Sequence, residues 1–203
     1  DSLSPSAVHQ GIESAENEFG EYPLWLPWVF SGLPSIHSFQ NISDLYFPNA
    51  IINSLKWMGL PEFWNYIFHF ILAGMGVFVL LTQLGTNRLS ALFGGLSFAL
   101  MPYLITMVVH GHGSQMMTTA WLPWVIWAIL RLFDKTNIGN LGIFGLIVGL
   151  QLQRAHAQIA YYTWMTGGLL ILLLLWNIHN SQTNKPKWLI YTGIGLVLGL
   201  CMA

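Results

Sequence analysis

The stretch from His110 to Tyr162 begins with His110-Gly-His-Gly-Ser-Gln115 and ends with Arg154-Ala-His-Ala-Gln-Ile-Ala-Tyr-Tyr162. Between these two polar clusters lie two apolar segments, joined by a short basic turn and each close to the length that crosses a bilayer. A chain that crosses and returns ends on the side where it started. We therefore expect the two clusters to face each other at one membrane surface, where ionisable groups beside hydrocarbon commonly mark a functional site.

The composition is that of an integral membrane protein. Of the 203 residues, 54% are hydrophobic and only 7% are charged, whereas a soluble domain carries about 25% charged residues. So few charges cannot cover a globule in water, and membrane lipids are the partner that this composition predicts. A net charge of −1 gives no support for a nucleic-acid partner, and the single cysteine, Cys201, excludes an intrachain disulfide.

Apolar segments follow one another closely in residues 62–203, and we predict an all-α, polytopic transmembrane helix bundle with about six crossings. Pro102 and Pro123 lie inside two of the segments, where proline is expected to kink a helix. Glycines in the first and fourth segments are expected to let helices pack closely, the alternative being the ordinary glycine content of membrane helices. The predicted segments are 63–84, 89–109, 116–133, 138–153, 158–178 and 188–203, and these glycines are Gly74, Gly76, Gly142, Gly145 and Gly149.

Residues 1–61 are predicted to form an outer, partly interfacial loop region with juxtamembrane helices. The stretch 22–34 is rich in aromatic residues and proline and cannot form a long helix. Residues 46–60 are predicted to form a short amphipathic helix at the lipid interface, from which Lys56 reaches the headgroups. The chain has no signal-like start and stops inside an apolar run, and we expect it to be a fragment of a longer chain.

The distribution of basic residues predicts the orientation. If the segments alternate across the membrane, five basic side chains fall on one side and two on the other, so the richer side faces the cytoplasm. Residues 1–61 and both polar clusters are then extracytoplasmic. The five are Arg88, Arg131, Lys135, Lys185 and Lys187, and the two are Lys56 and Arg154.

Arg154 is the candidate phosphate ligand. It lies between two apolar runs on the side where arginine is disfavoured, and a guanidinium binds phosphate through two parallel hydrogen bonds. The further donors expected beside it are His156, Gln158, Tyr161 and Tyr162. The alternative is an arginine that only reaches lipid headgroups.

His110 and His112 stand among glycines that leave room for close backbone approach, so they are candidate phosphate contacts. Two histidines fall short of the three or four ligands of a zinc site, and no metal-binding residues are predicted. The alternative interpretation is a polar turn at the interface. His69 lies inside the first apolar segment with no evident partner, and we leave it outside the predicted site.

Transfer of a group to a hydroxyl requires a general base, for which a partly buried carboxylate at the interface is suitable. Asp1 and Glu21 are the candidates, because each adjoins a segment that is expected to pack on the bundle. The remaining carboxylates of this region, Glu13, Glu16 and Glu18, are interpreted as a solvated acidic face.

Three stretches of the chain resemble the YfhO-type family of bacterial membrane proteins. They are Gly20-Glu-Tyr-Pro-Leu-Trp-Leu-Pro-Trp-Val-Phe-Ser-Gly-Leu-Pro34, then Gly111-His-Gly-Ser-Gln115 with the following span that holds Pro123, and Arg154-Ala-His-Ala-Gln-Ile-Ala-Tyr-Tyr162. The similarity covers roughly residues 1–180. Members are large polytopic proteins similar to GT-C glycosyltransferases, which use a polyprenyl-phosphate-linked sugar on the outer side of the membrane.

The resemblance implies a glycosyltransferase of the bacterial inner membrane, with a glycan or envelope polymer as acceptor. It implies that Asp1 matches the family's loop carboxylate, and that Arg154, His156 and a histidine at 110 or 112 stabilise the departing polyprenyl phosphate. No cofactor is assigned, and a divalent cation (Mg²⁺ or Mn²⁺) at the carboxylates is the one that stays open. The alternative is a non-catalytic protein, either a lipid-linked-sugar transporter (flippase) or a structural subunit of a membrane complex.

Overall fold

The computed structural model describes residues 3–20, 25–27, 32–34, 46–59, 61, 63–154, 156–181 and 186–202. The described chain is helical except for one pair of two-residue strands. The elements before the bundle are helix α1 (Leu3–Phe19), strands β1 (Trp25–Leu26) and β2 (Leu33–Pro34), and helix α2 (Phe47–Trp57). The remaining helices are α3 (Trp64–Gln83), α4 (Arg88–Ala99), α5 (Pro102–Val109), α6 (Gly113–Ala120), α7 (Leu122–Asp134), α8 (Ile138–Leu152), α9 (Ala157–Ser181) and α10 (Pro186–Cys201).

The elements before the bundle follow local sequence signals. Helix α1 occupies a stretch that was predicted to be a loop region, and it ends at Gly20, whose φ of 71° closes the last turn. Strands β1 and β2 pair antiparallel inside the proline-rich stretch, where no long helix was expected. At Gly32 a Cβ would lie 2.5 Å from the Trp25 ring, so only glycine fits beside that tryptophan. Helix α2 occupies most of the predicted amphipathic segment, and its location at a lipid interface stays a prediction.

Within the described residues, four stretches are long and apolar enough to cross a membrane, and such helices fit a membrane protein. They are Trp64–Gln83, Arg88–Val109, Gly113–Asp134 and Ala157–Trp176. Helices α8 and α10 are shorter; the 15 residues of α8 span only about 22 Å, against about 30 Å for a bilayer core. The stretch Gly113–Asp134 is mostly buried, whereas fewer than a quarter of the residues are buried in each of the other three, so it forms the centre of the bundle.

Prolines and asparagines set the helix boundaries within the bundle. Pro102 begins α5, directly after the break that ends α4, and Pro123 is the second residue of α7, two residues after the break at Trp121. The predicted kinks are therefore present as helix breaks. The side chain of Asn87 accepts a hydrogen bond of 2.9 Å from the Ser90 N–H and starts α4, and Asn137 starts α8 in the same way.

Contacts between helix ends show the direction of each pass. The Gln83 amide donates to Asp134 at 2.9 Å, so α3 and α7 end together, at what we call the Asp134 end. The Gln153 amide donates to the carbonyl of Met202 at 2.8 Å, so α8 and α10 finish together at the opposite end, the Arg154 end. Successive passes therefore alternate in direction.

Glycines bring two pairs of helices into backbone contact. A Cβ on Gly95 of α4 would lie 2.6 Å from the Gly74 carbonyl oxygen of α3. A Cβ on Gly145 of α8 would lie 3.2 Å from the Gly195 carbonyl oxygen of α10. The expectation was wrong for Gly142, which has nothing within 4 Å, because it lies on the exposed side of α8.

We predict that Gly95→Ala lowers the free energy of unfolding by about 1 to 3 kcal/mol, because the added methyl meets a backbone atom that cannot turn away. Gly142→Ala is the matched control on α8. It has open space and is expected to be neutral or stabilising by up to about 1 kcal/mol. Thermal unfolding of the purified protein in detergent compares the two, and equal effects would contradict the close α3–α4 contact.

Candidate functional site

Arg154 lies in the turn between α8 and α9, and the neighbouring helices fix its backbone. Its N–H donates to the Gln151 carbonyl at 3.2 Å, and its own carbonyl accepts from the Thr118 hydroxyl of α6 at 3.5 Å. The Gln151 amide donates in turn to the Thr163 hydroxyl of α9 at 2.9 Å. The turn is thus tied to three helices at the Arg154 end.

The guanidinium of Arg154 is buried, with 9% of the residue exposed. Its Nη2 lies 2.7 Å from the sulfur of Met117, and its Cζ lies 4.5 Å from the centre of the Tyr46 ring. The Nε and Nη1 groups have no hydrogen-bond partner among the described residues and no access to solvent. In the part of the chain that the structure describes, no carboxylate pairs with this cation.

Tyr46 is held under Arg154 by a chain of hydrogen bonds. The Nδ1 of His69 lies 2.7 Å from the Asn65 carbonyl, which can only accept, so Nδ1 carries the proton and Nε2 accepts. The Tyr46 hydroxyl therefore donates to His69 Nε2 at 2.9 Å, and it accepts from the Trp121 indole N–H at 3.0 Å. These bonds satisfy the tyrosine hydroxyl and both histidine nitrogens, which fixes the tyrosine ring against the guanidinium.

The contacts of Arg154 compensate only part of the free-energy cost of burying its charge. Burial of an arginine costs several kcal/mol, whereas a desolvated cation–π contact returns about 2 kcal/mol and a thioether contact less. Burial lowers the pKa of Arg154, the nearby Tyr46 and Tyr66 opposing this shift, and an arginine nevertheless keeps its proton. A buried cation with two donors that bond nothing in the described part of the chain is a site that an anion would complete.

His156 and His112 add a second group of donors at the same end. His156 directly precedes α9, and its Nδ1 accepts from the Ile159 N–H at 3.4 Å. Burial lowers the pKa of His156, and the charge of nearby His112 lowers it further, against a local backbone hydrogen bond that raises it. One histidine from each of the two polar clusters thus lies at the Arg154 end.

The first residue of α6 is Gly113, and this glycine allows α6 to start close to Tyr66 of α3. A Cβ there would lie 2.6 Å from the ring of Tyr66, so the glycine lets the tyrosine of α3 approach.

His110 is exposed, and its Nδ1 donates to the Thr106 carbonyl at 2.9 Å. Gln158 and Tyr161 are exposed on α9; the Gln158 amide donates to the Tyr162 hydroxyl at 2.8 Å.

The remaining predicted residues either are exposed without contact to Arg154 or lie outside the described part of the chain. Among the described residues, no hydrogen bond or ring contact joins Arg154 to the histidine at 110 or to the exposed side chains of α9. Asp1 and Glu21 lie outside the described residues. The described residues contain no group of three or more His, Cys, Asp or Glu that could hold a metal ion.

The residues that surround the guanidinium most closely were not predicted from the sequence. His69 was left outside the predicted site as a histidine that bonds a neighbouring segment, and the Tyr46 hydroxyl is the partner that the sequence did not reveal. The location of His69 inside an apolar segment was a usable signal. No signal marked Tyr46, Met117 or Trp121, whose aromatic and thioether side chains look like ordinary interface and core residues. Comparisons with protein-family models, with curated proteins and with solved structures find no match to this chain.

We predict that Arg154→Met raises the free energy of unfolding by about 1 to 4 kcal/mol, because an apolar side chain of similar length replaces an unpaired buried cation. Arg88→Met, which removes an exposed charge at the Asp134 end, is expected to change it by less than about 0.5 kcal/mol. Both are measured by thermal unfolding in detergent without added lipid phosphate. A clear loss of stability in Arg154→Met would mean that the arginine holds the fold together.

We predict that acid destabilises the protein through His156. Because the pKa of His156 is lowered in the folded state, the unfolded chain binds more protons once the pH falls below 6.5, the ordinary value, and the free energy of unfolding decreases there. His156→Gln is expected to flatten this part of the curve of unfolding temperature against pH, and His110→Gln is the control. An unchanged slope in His156→Gln would contradict the assignment.

Proposed function

We propose that this chain forms the membrane-embedded part of a bacterial glycosyltransferase that moves a sugar from a polyprenyl-phosphate donor to an extracytoplasmic envelope acceptor. The observation that carries the proposal is the buried guanidinium of Arg154, with two N–H groups that bond nothing among the described residues. The likeness of the sequence motifs to the YfhO-type family supplies the chemistry that this site would serve.

The proposal includes six crossings of the bacterial inner membrane, the two shorter helices completing the four long ones. The Asp134 end faces the cytoplasm in this arrangement, because five of the seven lysines and arginines fall on that side of the sequence. The Arg154 end and residues 1–61 then face outward. That orientation brings the anion site to the side where a lipid-linked donor presents its phosphate to an external acceptor.

In the proposed reaction the acceptor hydroxyl attacks the anomeric carbon of the donor sugar. Its proton passes to a carboxylate, Asp1 or Glu21, and the bond between the anomeric carbon and the phosphate oxygen breaks. The bonding electrons leave with polyprenyl phosphate, whose new negative charge is stabilised by Arg154. His156 and His112 supply further donors at the phosphate. No step requires a metal ion.

Access to the guanidinium requires movement. The two unpaired nitrogens of Arg154 are excluded from solvent, and Tyr46 and Met117 are the side chains in contact with the cation. We infer that a donor phosphate reaches Arg154 when these two side chains move aside. The phosphate then replaces the cation–π contact with stronger, charge-assisted hydrogen bonds.

The non-catalytic alternative shares the anion site and differs in the step after binding. A transporter needs polar groups along the middle of the bundle. Here the histidines at 110, 112 and 156, Arg154 and the exposed polar side chains of α9 gather at one end. This one-sided arrangement favours chemistry at a surface.

The proposal is tested by transfer from a radiolabelled polyprenyl-phosphate sugar in membranes that contain the full-length protein. Arg154→Gln is expected to reduce transfer about a hundredfold, and Asp1→Asn or Glu21→Gln to reduce it by a similar factor if that residue is the base. Arg88→Gln, at the opposite end, is expected to retain activity.

The outcomes separate the alternatives. Donor binding that depends on Arg154 without any transfer across a panel of sugar donors would favour the transporter or subunit. Activity that survives Arg154→Gln at full rate would remove the arginine from the mechanism. Normal amounts of each variant in the membrane, measured by immunoblot, are the control for expression.

A further inference from the structure

A second polar cleft opens at the Asp134 end, on the opposite side of the bundle from Arg154. It has a volume of about 390 Å³ and lies between α3, α7 and α8. The walls of the cleft are apolar deeper between the helices and polar or charged at the helix ends. Phe78 of α3 and Trp127 of α7 lie one to two turns before the helix ends, and Thr82, Arg131 and Lys135 lie at the ends themselves.

Arg131 is held in a fixed position at this cleft. Its Nε donates to the Asn140 side-chain oxygen at 2.9 Å, and its Cζ lies 5.1 Å from the centre of the Trp127 ring. Asn140 is itself buried, and its amide donates to the Lys135 carbonyl at 2.7 Å. The terminal nitrogens of Arg131 take part in no hydrogen bond among the described residues, so they are available to a ligand.

The charge at the cleft is positive. Arg131 and Lys135 are both exposed cations, and the one carboxylate that lines the cleft, Asp134, accepts a hydrogen bond of 2.9 Å from the Gln83 amide. Among the described residues that line it, the sum is one net positive charge. A cation above an apolar wall matches a molecule that carries an anionic head on an apolar chain.

We propose that this cleft binds the phosphate of an anionic phospholipid. The phosphate contacts Arg131 and Lys135, and one acyl chain lies along Phe78 and Val79. A lipid is favoured over a soluble phosphate because the deeper wall is apolar and belongs to helices long enough to lie in a bilayer. Basic pockets between membrane helices bind anionic headgroups by this chemistry. The proposal is independent of the reaction assigned to Arg154.

The test is lipid binding to the full-length protein in detergent, counted by native mass spectrometry during titration with phosphatidylglycerol or phosphatidylcholine. The wild type is expected to retain phosphatidylglycerol preferentially. Arg131→Gln and Lys135→Gln are each expected to weaken this binding about fivefold. Arg88→Gln removes a charge at the same end outside the cleft and is the matched control, expected to leave binding unchanged.

Each outcome decides the proposal. Equal weakening by Arg88→Gln would mean general attraction to a basic surface and would overturn the specific site. Displacement of the lipid by inorganic phosphate at comparable concentration would assign the cleft to a soluble anion instead. If Arg131→Gln does not fold, Lys135→Gln decides alone, since the exposed Lys135 side chain makes no hydrogen bond within the described chain, and undiminished binding in that variant would overturn the proposal.

Discussion

A full positive charge is held almost without water at Arg154, and much of the Arg154 end is arranged around it. The backbone of its turn is tied to α6 and, through Gln151, to α9. The flat face of Tyr46 covers the guanidinium, and the tyrosine is fixed by His69 and Trp121. Segments far apart in the sequence thus surround this one cation, and none of their described side chains neutralises its charge.

An arginine is exposed at one end of the bundle and buried at the other. At the Asp134 end, Arg131 is exposed, lies against Trp127 and bonds Asn140, so that its charge is oriented and remains in contact with solvent. At the other end Arg154 is enclosed and its charge is only partly compensated. The first arrangement costs little, whereas burial of a cation without an anionic partner among the described residues is unfavourable to folding.

The fold was predictable as far as it depends on local sequence. The apolar segments lie close to the observed helices, and the breaks at Pro102 and Pro123 follow from the missing N–H and fixed ring of proline. The start of the third span at Gly113 was missed, because Ser114 and Gln115 look polar although the helix already includes them. Whether a glycine contacts a neighbour depends on which side of the helix the partner occupies, which is why Gly145 and Gly142 differ.

The candidate site was predictable only for residues whose chemistry is unusual in their surroundings. Arg154 and His156 stand out between apolar runs, and the alternating direction of the helices places His112 at the same end. The contact between Tyr46 and Trp121 joins residues 75 positions apart. The spacing of residues in the sequence does not predict such a contact, because the contact arises when α2 and the residue before it pack on the bundle.

The central span Gly113–Asp134 has a consequence for how the protein is made. It is the least apolar of the four long spans and also the most buried. A segment that depends on protein neighbours for its polar side chains partitions poorly into lipid on its own. Since α3 is synthesised before this span and packs on both α6 and α7, it is available as a partner when the span leaves the ribosome. The order of translation therefore supplies a packing partner for the least apolar of the four spans.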